Sequence, residues 1–138
     1  MRSVGNWWPQ AVAGYALQSG GSMEITKDLV AASATPIVLA ILDAAESYGY
    51  AIIQRVREVS DNRLSWTDGM LYPVLHRLEA AGFVRSEWRR SEAGRRRKYY
   101  HLTEDGAGEL ARQREQWAVV HDALGRLTGE ADRGGNGV

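Results

Sequence analysis

Four consecutive cations, Arg95 to Lys98, form the densest concentration of charge in the chain. The whole sequence has 17 basic and 17 acidic residues, so its formal net charge is zero. Positions 85–101 nevertheless hold seven Lys or Arg against two Glu, a local net charge of +5. Cations this closely spaced can bind the phosphates of a nucleic acid, where counterion release supplies affinity. The alternative is that these cations are only an exposed, solvated part of the surface with no binding role.

Other reactive residue types lack the spacing that metal binding or catalysis requires. The absence of cysteine excludes disulfides, thiolate metal sites and thiol redox sensing, and is typical of a reducing compartment. The histidines, His76, His101 and His121, lie far apart in sequence, so we predict no metal and no other cofactor. Because no serine lies in a nucleophile elbow and no glycine-rich phosphate loop follows a strand pattern, we predict no enzymatic activity.

Apolar runs are too short for a membrane span of about 18 residues. The stretch near the start is also short and broken by proline and glycine, unlike a signal peptide. We therefore predict a cytoplasmic protein with no membrane partner.

Three helices are predicted before the basic segment. Apolar residues in 27–46 follow helical spacing, as one helix or as two short ones around Pro36. An amphipathic second helix follows the break at 48–50, and a third begins at the N-cap Thr67 and ends at Gly82. The third helix should bury Leu71, Val74, Leu75 and Leu78 and expose Met70, Tyr72, Pro73, His76 and Arg77.

A β-hairpin and a long last helix should follow. Segments 83–90 and 97–103 alternate in polarity around the turn 91–94, and we expect Trp88 to pack the hairpin onto the body. Thr103 then caps a helix whose apolar seam has nothing left in its own chain to cover it, so a second copy of the chain should do so. The seam consists of Leu110, Trp117, Val120, Leu124 and Leu127.

Helices followed by a basic hairpin form a winged helix-turn-helix arrangement, in which the third helix fits a major groove and the hairpin binds phosphates. The predicted fold class is mainly α with a small β-hairpin, completed by a long C-terminal dimerisation helix. Residues 23–103 would be the DNA-binding domain and 104–127 the dimerisation helix. A flexible N-terminal extension, 1–22, and a flexible tail, 128–138, would flank them.

Three motifs, at 48–50, 69–82 and 94–103, resemble the signatures of PadR-type transcriptional regulators, and the similarity extends from about Met23 to Leu127. The resemblance implies a homodimeric winged-helix repressor whose last helix forms the dimer interface. Together with the helix and hairpin patterns, it places the DNA contacts at Tyr50, Thr67, Met70, Tyr72, Pro73, His76, Arg77, Arg95, Arg96, Arg97 and Lys98.

The last helix, which is short for the family and has Trp117 near its middle, resembles that of the subgroup whose dimer encloses a flat pore for aromatic drugs. Trp117 would stack on a planar ligand, or would simply be an aromatic residue of the dimer core. Here His121 and Arg114 stand where an acidic and an aromatic residue are expected, which argues against a preference for cationic drugs. His121 would make binding pH-sensitive. The ligand-lining residues would be Leu29, Ala32, Thr35, Gln113, Trp117 and His121.

The sequence therefore predicts a sequence-specific repressor that binds a pseudo-palindromic operator in double-stranded DNA as a homodimer and is relieved by a small planar aromatic molecule. The alternative is a winged-helix protein-interaction module without specific DNA binding. The two differ in salt dependence, because binding through phosphate contacts weakens steeply as salt rises.

Overall fold

The computed structural model describes residues 24–136, with side chains described through Thr128. Residues 1–22, which we predict to be a flexible extension, lie outside the described part. The chain divides into a compact unit, Ile25–Gln113, and a second unit that contains Arg114–Val138. Within the described part the elements, in chain order, are α1 (Lys27–Ala44), β1 (Ser47–Tyr48), α2 (Gly49–Val59), α3 (Asp68–Ala80), β2 (Val84–Arg90), β3 (Arg96–Leu102) and α4 (Glu104–Asn136).

Helix α1 is a single helix that continues through Pro36. It begins where the Thr26 hydroxyl accepts a hydrogen bond from the Leu29 backbone N–H at 3.2 Å. Proline has no N–H for the carbonyl four residues earlier, yet the helix persists because Val38, Leu39 and neighbouring residues on its inner side are buried. Of the two arrangements that the sequence left open, the structure has the single helix.

The hydrophobic core lies where α1, α2 and α3 meet the sheet and the start of α4. Burying one large apolar side chain stabilises a fold by about 1.5–3 kcal/mol, so this cluster holds the elements of the first unit together. Its buried members are Ala34, Val38, Leu39, Leu42, Ile52, Val56, Trp66, Leu71, Val74, Leu75, Leu78, Val84, Tyr100 and Leu110.

Leu110 corrects part of the predicted dimer seam. The sequence placed it on a surface left for a partner, but it is 2% exposed and belongs to the core of its own chain. The reason is that the first turns of α4 belong to the core of the first unit. The apolar residues of α4 keep the same spacing, but they are buried at Leu110 and exposed from Val120 onwards.

The three strands form an antiparallel sheet in the order β1-β3-β2. The β2–β3 hairpin is as predicted, with a register from Val84↔Leu102 to Arg90↔Arg96. The edge strand β1, which the sequence did not predict, pairs Ser47 with Tyr100. The β2–β3 hairpin is called the wing from here on. Its side chains alternate between an inner face and an outer face. The inner face carries Val84, Ser86, Trp88, Arg90, Arg96, Lys98, Tyr100 and Leu102, and the outer face carries Arg85, Glu87, Arg89, Arg97, Tyr99 and His101.

The turn between α3 and the wing is a Schellman motif. Gly82 has φ of +85°. Its N–H donates to the Glu79 carbonyl at 3.0 Å, and the Phe83 N–H donates to the Leu78 carbonyl at 2.9 Å. The structure thus confirms Gly82 as the residue that ends the third helix, and it fixes the direction in which the wing leaves that helix.

Thr103 joins the start of α4 to the same turn. Its hydroxyl accepts a hydrogen bond from the Gly106 N–H at 3.0 Å and donates to the Gly82 carbonyl at 2.6 Å. A Cβ at Gly106 would collide with the Phe83 carbonyl oxygen, so only glycine permits this close packing.

Helix α4 continues to Asn136, nine residues beyond the predicted end at Leu127. The Thr128 hydroxyl donates a hydrogen bond to the Leu124 carbonyl oxygen, one turn earlier in the same helix. No proline follows in the sequence to end the helix. None of the described helices is both long and apolar enough to span a membrane.

Candidate nucleic-acid interface

A cleft of about 710 Å³ lies where α3 and the start of α2 face the wing. It brings together residues that are separated by as much as 52 positions in the sequence, from Tyr48 to Tyr100. Aromatic and cationic side chains make up most of its lining, and the cations suit the phosphates of a nucleic acid. The lining residues are Tyr48, Gly49, Tyr50, Tyr72, His76, Trp88, Arg95, Arg96, Arg97, Lys98 and Tyr100.

The exposed face of α3 is narrower than the sequence predicts. Pro73, His76 and Arg77 are exposed, whereas Met70 and Tyr72 are partly buried and pack against the core. Tyr72 packs over the first turn of α2, where a Cβ in place of Gly49 would collide with the tyrosine hydroxyl. Met70 and Tyr72 therefore pack within the chain, Tyr72 also lines the cleft, and their contact with DNA stays a prediction.

Thr67 and Tyr50 lie at the first turns of the two helices of the helix-turn-helix. The Thr67 hydroxyl accepts a hydrogen bond from the Met70 N–H at 3.3 Å, which confirms it as the N-cap of α3. Tyr50 is 65% exposed, and its hydroxyl oxygen accepts a hydrogen bond from Gln54 Nε2 at 2.6 Å. Tyr50 thus presents an oriented aromatic ring at the edge of the cleft.

Trp88 does not pack the wing onto the body as predicted. It is 56% exposed and lies on the inner face beside two cations. The Arg96 guanidinium lies 4.8 Å from the centre of the indole ring, and Lys98 Nζ lies 5.9 Å from it. Tyr100, one pair further along the same face and 1% exposed, takes the packing position instead. Trp88 is therefore a surface aromatic that organises two cations of the cleft.

Tyr100 lies at the base of the cleft. Its hydroxyl is buried and has no hydrogen-bond partner among the described residues. Burial, with smaller effects from Tyr72 and Glu79, raises the pKa of Tyr100 to about 12. The hydroxyl is therefore neutral at physiological pH and remains a hydrogen-bond donor.

The cations at the tip of the wing have different surroundings. Arg95 is exposed in the turn, while Arg96 and Lys98 flank Trp88 on the inner face. Arg97 alternates to the outer face, where its guanidinium lies 4.3 Å from the centre of the Tyr48 ring. Consecutive residues thus divide between the two faces, although all four line the cleft.

Arg89, which belongs to the same basic segment, is bound within the protein. Its NH2 group donates to Glu46 at 2.7 Å, its NH1 group donates to the second oxygen of that carboxylate at 2.5 Å, and its Nε donates to Glu87 at 2.5 Å. These hydrogen bonds from Arg89 lower the pKa of both carboxyls below 4.5, against a smaller opposing effect of desolvation. The carboxylates of Glu46 and Glu87 thus largely neutralise the positive charge of Arg89 on the outer face.

The predicted ligand-lining residues lie in both compact units. Leu29 and Ala32 are exposed on α1 and Thr35 is partly buried, while Gln113 donates to Glu109 at 2.7 Å. Trp117 is partly buried and His121 is exposed, both in the second unit. Their grouping into one ligand site stays a prediction.

An exposed helix beside a basic β-hairpin, which β1 extends to a three-stranded sheet, defines a winged-helix DNA-binding protein. The model of the Transcriptional regulator PadR-like family matches residues 38–112, which is more than half of the chain. The protein belongs to this family, and it is a transcriptional regulator that binds DNA.

Three similar proteins are consistent with this assignment. The transcriptional regulator Rv3488 of Mycobacterium tuberculosis is 38% identical over 59% of this chain and 73% of its own length. The transcriptional regulator YqjI of Escherichia coli K12 is 30% identical over 70% of this chain, but this chain spans only 45% of YqjI. The structure of a transcriptional regulator from Clostridium thermocellum superposes with a TM-score of 0.67 at 27% identity, covering 74% of this chain and 96% of that one.

Proposed function

We propose that the protein is a sequence-specific repressor in which α3 reads base edges and the wing holds the adjoining backbone. The cleft that joins the exposed face of α3 to the cations 95–98 is the observation that carries this proposal. A major groove admits one α-helix, and arginine donates bidentately to guanine there, so Arg77 and His76 are the proposed reading residues. The wing cations bind phosphates or the minor groove beside that helix.

The binding unit is a homodimer formed through α4. Trp117, Val120, Leu124 and Leu127 recur at spacings of three and four, and the last three are large apolar side chains exposed to solvent. Such a stripe favours burial against a second copy. Leu110 is not part of this interface, because its own chain covers it. Two-fold symmetry then matches a pseudo-palindrome whose half-sites lie about one or two helical turns apart.

A small planar aromatic molecule is the proposed inducer. The resemblance to drug-binding relatives supports this proposal, as does the presence of an indole at Trp117 and an exposed apolar side chain at Leu29. A ligand that binds better to one spacing of the two reading helices shifts the population towards it and lowers affinity for the operator. The proposed site of action is the cytoplasm.

A protein-interaction module is the second candidate, because exposed apolar residues on α4 and the exposed Trp88 could also dock another protein. It would not need a reading face on α3, and it would not select a DNA sequence.

Selection from a random duplex library at near-physiological salt tests the proposal. We expect an inverted repeat whose half-site centres lie about 10 or 20 base pairs apart. A double variant, Arg96→Ala with Lys98→Ala, is the control, since it leaves α3 intact and should recover the same sequence with weaker enrichment. Recovery of nothing above background, from protein shown to be folded and dimeric, would replace the repressor by the interaction module.

A further inference from the structure

Arg89 spans the sheet on its outer face. It starts on β2, passes over the Tyr99 ring of the central strand at 4.6 Å from the ring centre, and reaches Glu46 beside β1. The three strands are ordered β1-β3-β2, so this side chain connects the two edge strands over the strand between them. A bidentate arginine–carboxylate pair fixes direction as well as distance.

Glu46 lies in the short connection between α1 and β1, where the chain leaves the helical core. β1 pairs with the wing through two residues, Ser47 and Tyr48. The wing is also attached at its base, through the Gly82 turn and the buried side chains of Val84 and Tyr100, and the hairpin tip extends beyond these attachments. Arg89 adds a further attachment to the core, on β2 and nearer the tip.

We propose that Arg89 is a positioning residue for DNA binding: bridged to Glu46, it holds the wing at the angle that places Arg96 and Lys98 beside the groove read by α3. The proposal rests on the DNA-binding function above. We assign Arg89 no phosphate contact, because its Nε, NH1 and NH2 groups donate to Glu46 and Glu87 and one face of its guanidinium lies against the Tyr99 ring.

His101 belongs to the same bridge. Its Nδ1 lies 3.2 Å from Glu46 Oε1, and Arg89 NH2 lies 3.3 Å from its other ring nitrogen. The imidazole, on β3, therefore lies against both members of the Arg89–Glu46 pair. The bridge thus contains residues from β2, from β3 and from the connection that precedes β1.

Glu46→Gln tests the proposal because the two explanations predict opposite signs. If Glu46 merely repels DNA and neutralises Arg89, its loss raises affinity. If the bridge positions the wing, affinity falls, by about threefold to fivefold for the loss of a partly exposed ion pair. The matched control is Glu92→Gln, which removes one exposed carboxylate from the wing turn and should raise affinity slightly by reducing repulsion.

Two further variants separate position from charge. Glu46→Asp keeps the charge but shortens the reach, and Arg89→Lys keeps the charge but cannot form the bidentate pair. Both should lower affinity, Glu46→Asp less than Glu46→Gln, although neither changes the net charge of the protein. The slope of log K against log salt should stay at the wild-type value in all three variants.

Affinities are measured on one duplex by fluorescence anisotropy, well below each variant's melting temperature, with circular dichroism confirming that the fold is retained. An increase in affinity for Glu46→Gln, or a slope steeper by about 0.9 as freed Arg89 binds a phosphate, overturns the proposal. Unchanged affinity in both Glu46→Gln and Arg89→Lys overturns it too. Failure of the wild-type protein to bind any duplex would instead refute the proposed function itself.

Discussion

At the scale of single residues, neighbouring cations in the wing do different work. Arg96 lies over an exposed indole on the inner face, Arg97 lies over Tyr48 on the outer face, and Arg89 is held by two carboxylates. Charge counted along the sequence treats these three guanidiniums alike. Arg96 and Arg97 both line the cleft and are proposed to bind phosphates, whereas Arg89 is held within the protein by carboxylates.

Replacing Arg96 by alanine should remove the neutralisation of about one phosphate per subunit. The slope of log K against log salt should then become shallower by about 0.9 for each phosphate that is no longer neutralised, with weaker binding at low salt. Titrations at four or five salt concentrations measure this slope. Arg126→Ala, which removes an exposed arginine from α4, is the matched control and should leave the slope unchanged. Unaltered affinity and slope in Arg96→Ala would show that the wing is not a phosphate-binding element.

Residue roles could be predicted from the sequence only where local spacing carries them. Thr67 and Gly82 have short-range signatures, and both predictions are confirmed. Trp88 and Tyr100 lie on one face of the same hairpin, and alternation cannot tell which of them the body covers. Arg89 and Glu46 are 43 positions apart, so no spacing rule could have paired them.

At the scale of elements, the turn between α3 and the wing sets the geometry of the interface. The left-handed backbone of Gly82 closes the Schellman motif, and Thr103 bonds to the carbonyl of the same glycine. Helix, wing and α4 thus meet within a few residues. A change at this turn should affect the stability of the whole first unit.

Gly82→Ala should destabilise the protein by about 1 kcal/mol, because alanine is strained at φ near +85° although the space around the site is open. Gly108→Ala is the matched control, since it makes the same substitution inside α4, also in open space, and should stabilise by up to about 1 kcal/mol. Urea unfolding of both variants gives the two free energies of unfolding. If both substitutions changed the free energy of unfolding by the same amount and in the same direction, the role assigned to the turn would be contradicted.

The helices and the hairpin were predictable because each is long enough for its period to show in the sequence. β1 was not, since two residues hold no alternation. The end of α4 was misplaced because glycines near 134 have poor helix propensity, which tertiary structure or neighbouring turns can override. Leu110 continues the spacing of the seam, so its burial in the core depended on packing that periodicity does not encode.

At the scale of the whole molecule, the proposed sequence-specific binding depends on the pairing of two subunits. In the proposed complex, one wing supplies up to about four phosphate contacts, a number that gives modest affinity at physiological salt. Two reading helices held at a fixed separation contact two half-sites at once. The ratio by which one helix prefers its own half-site over other sequences is then squared for the dimer. The exposed stripe on α4 is therefore as important to the proposed function as the cleft.

Leu124→Glu should prevent dimerisation, because it places a charge where about 1.5–3 kcal/mol of apolar burial is expected for each leucine. Ala118→Glu is the matched control, since it adds the same charge on a different side of the helix, away from the stripe. Sedimentation velocity should give a monomer for Leu124→Glu and a dimer for Ala118→Glu and the wild-type protein. A dimeric Leu124→Glu would place the interface elsewhere.

The two-faced hairpin also limits how this regulator can evolve. Inserting one residue into β2 or β3 would reverse the facing of every side chain beyond it, sending Trp88 or Arg96 to the outer face and breaking the Arg89 bridge. Insertions in the turn between Ser91 and Arg95 leave both strands in register. Length variation among descendants of this sequence should therefore accumulate at the tip, where a longer or shorter loop changes the reach of the wing without changing which residues face the operator.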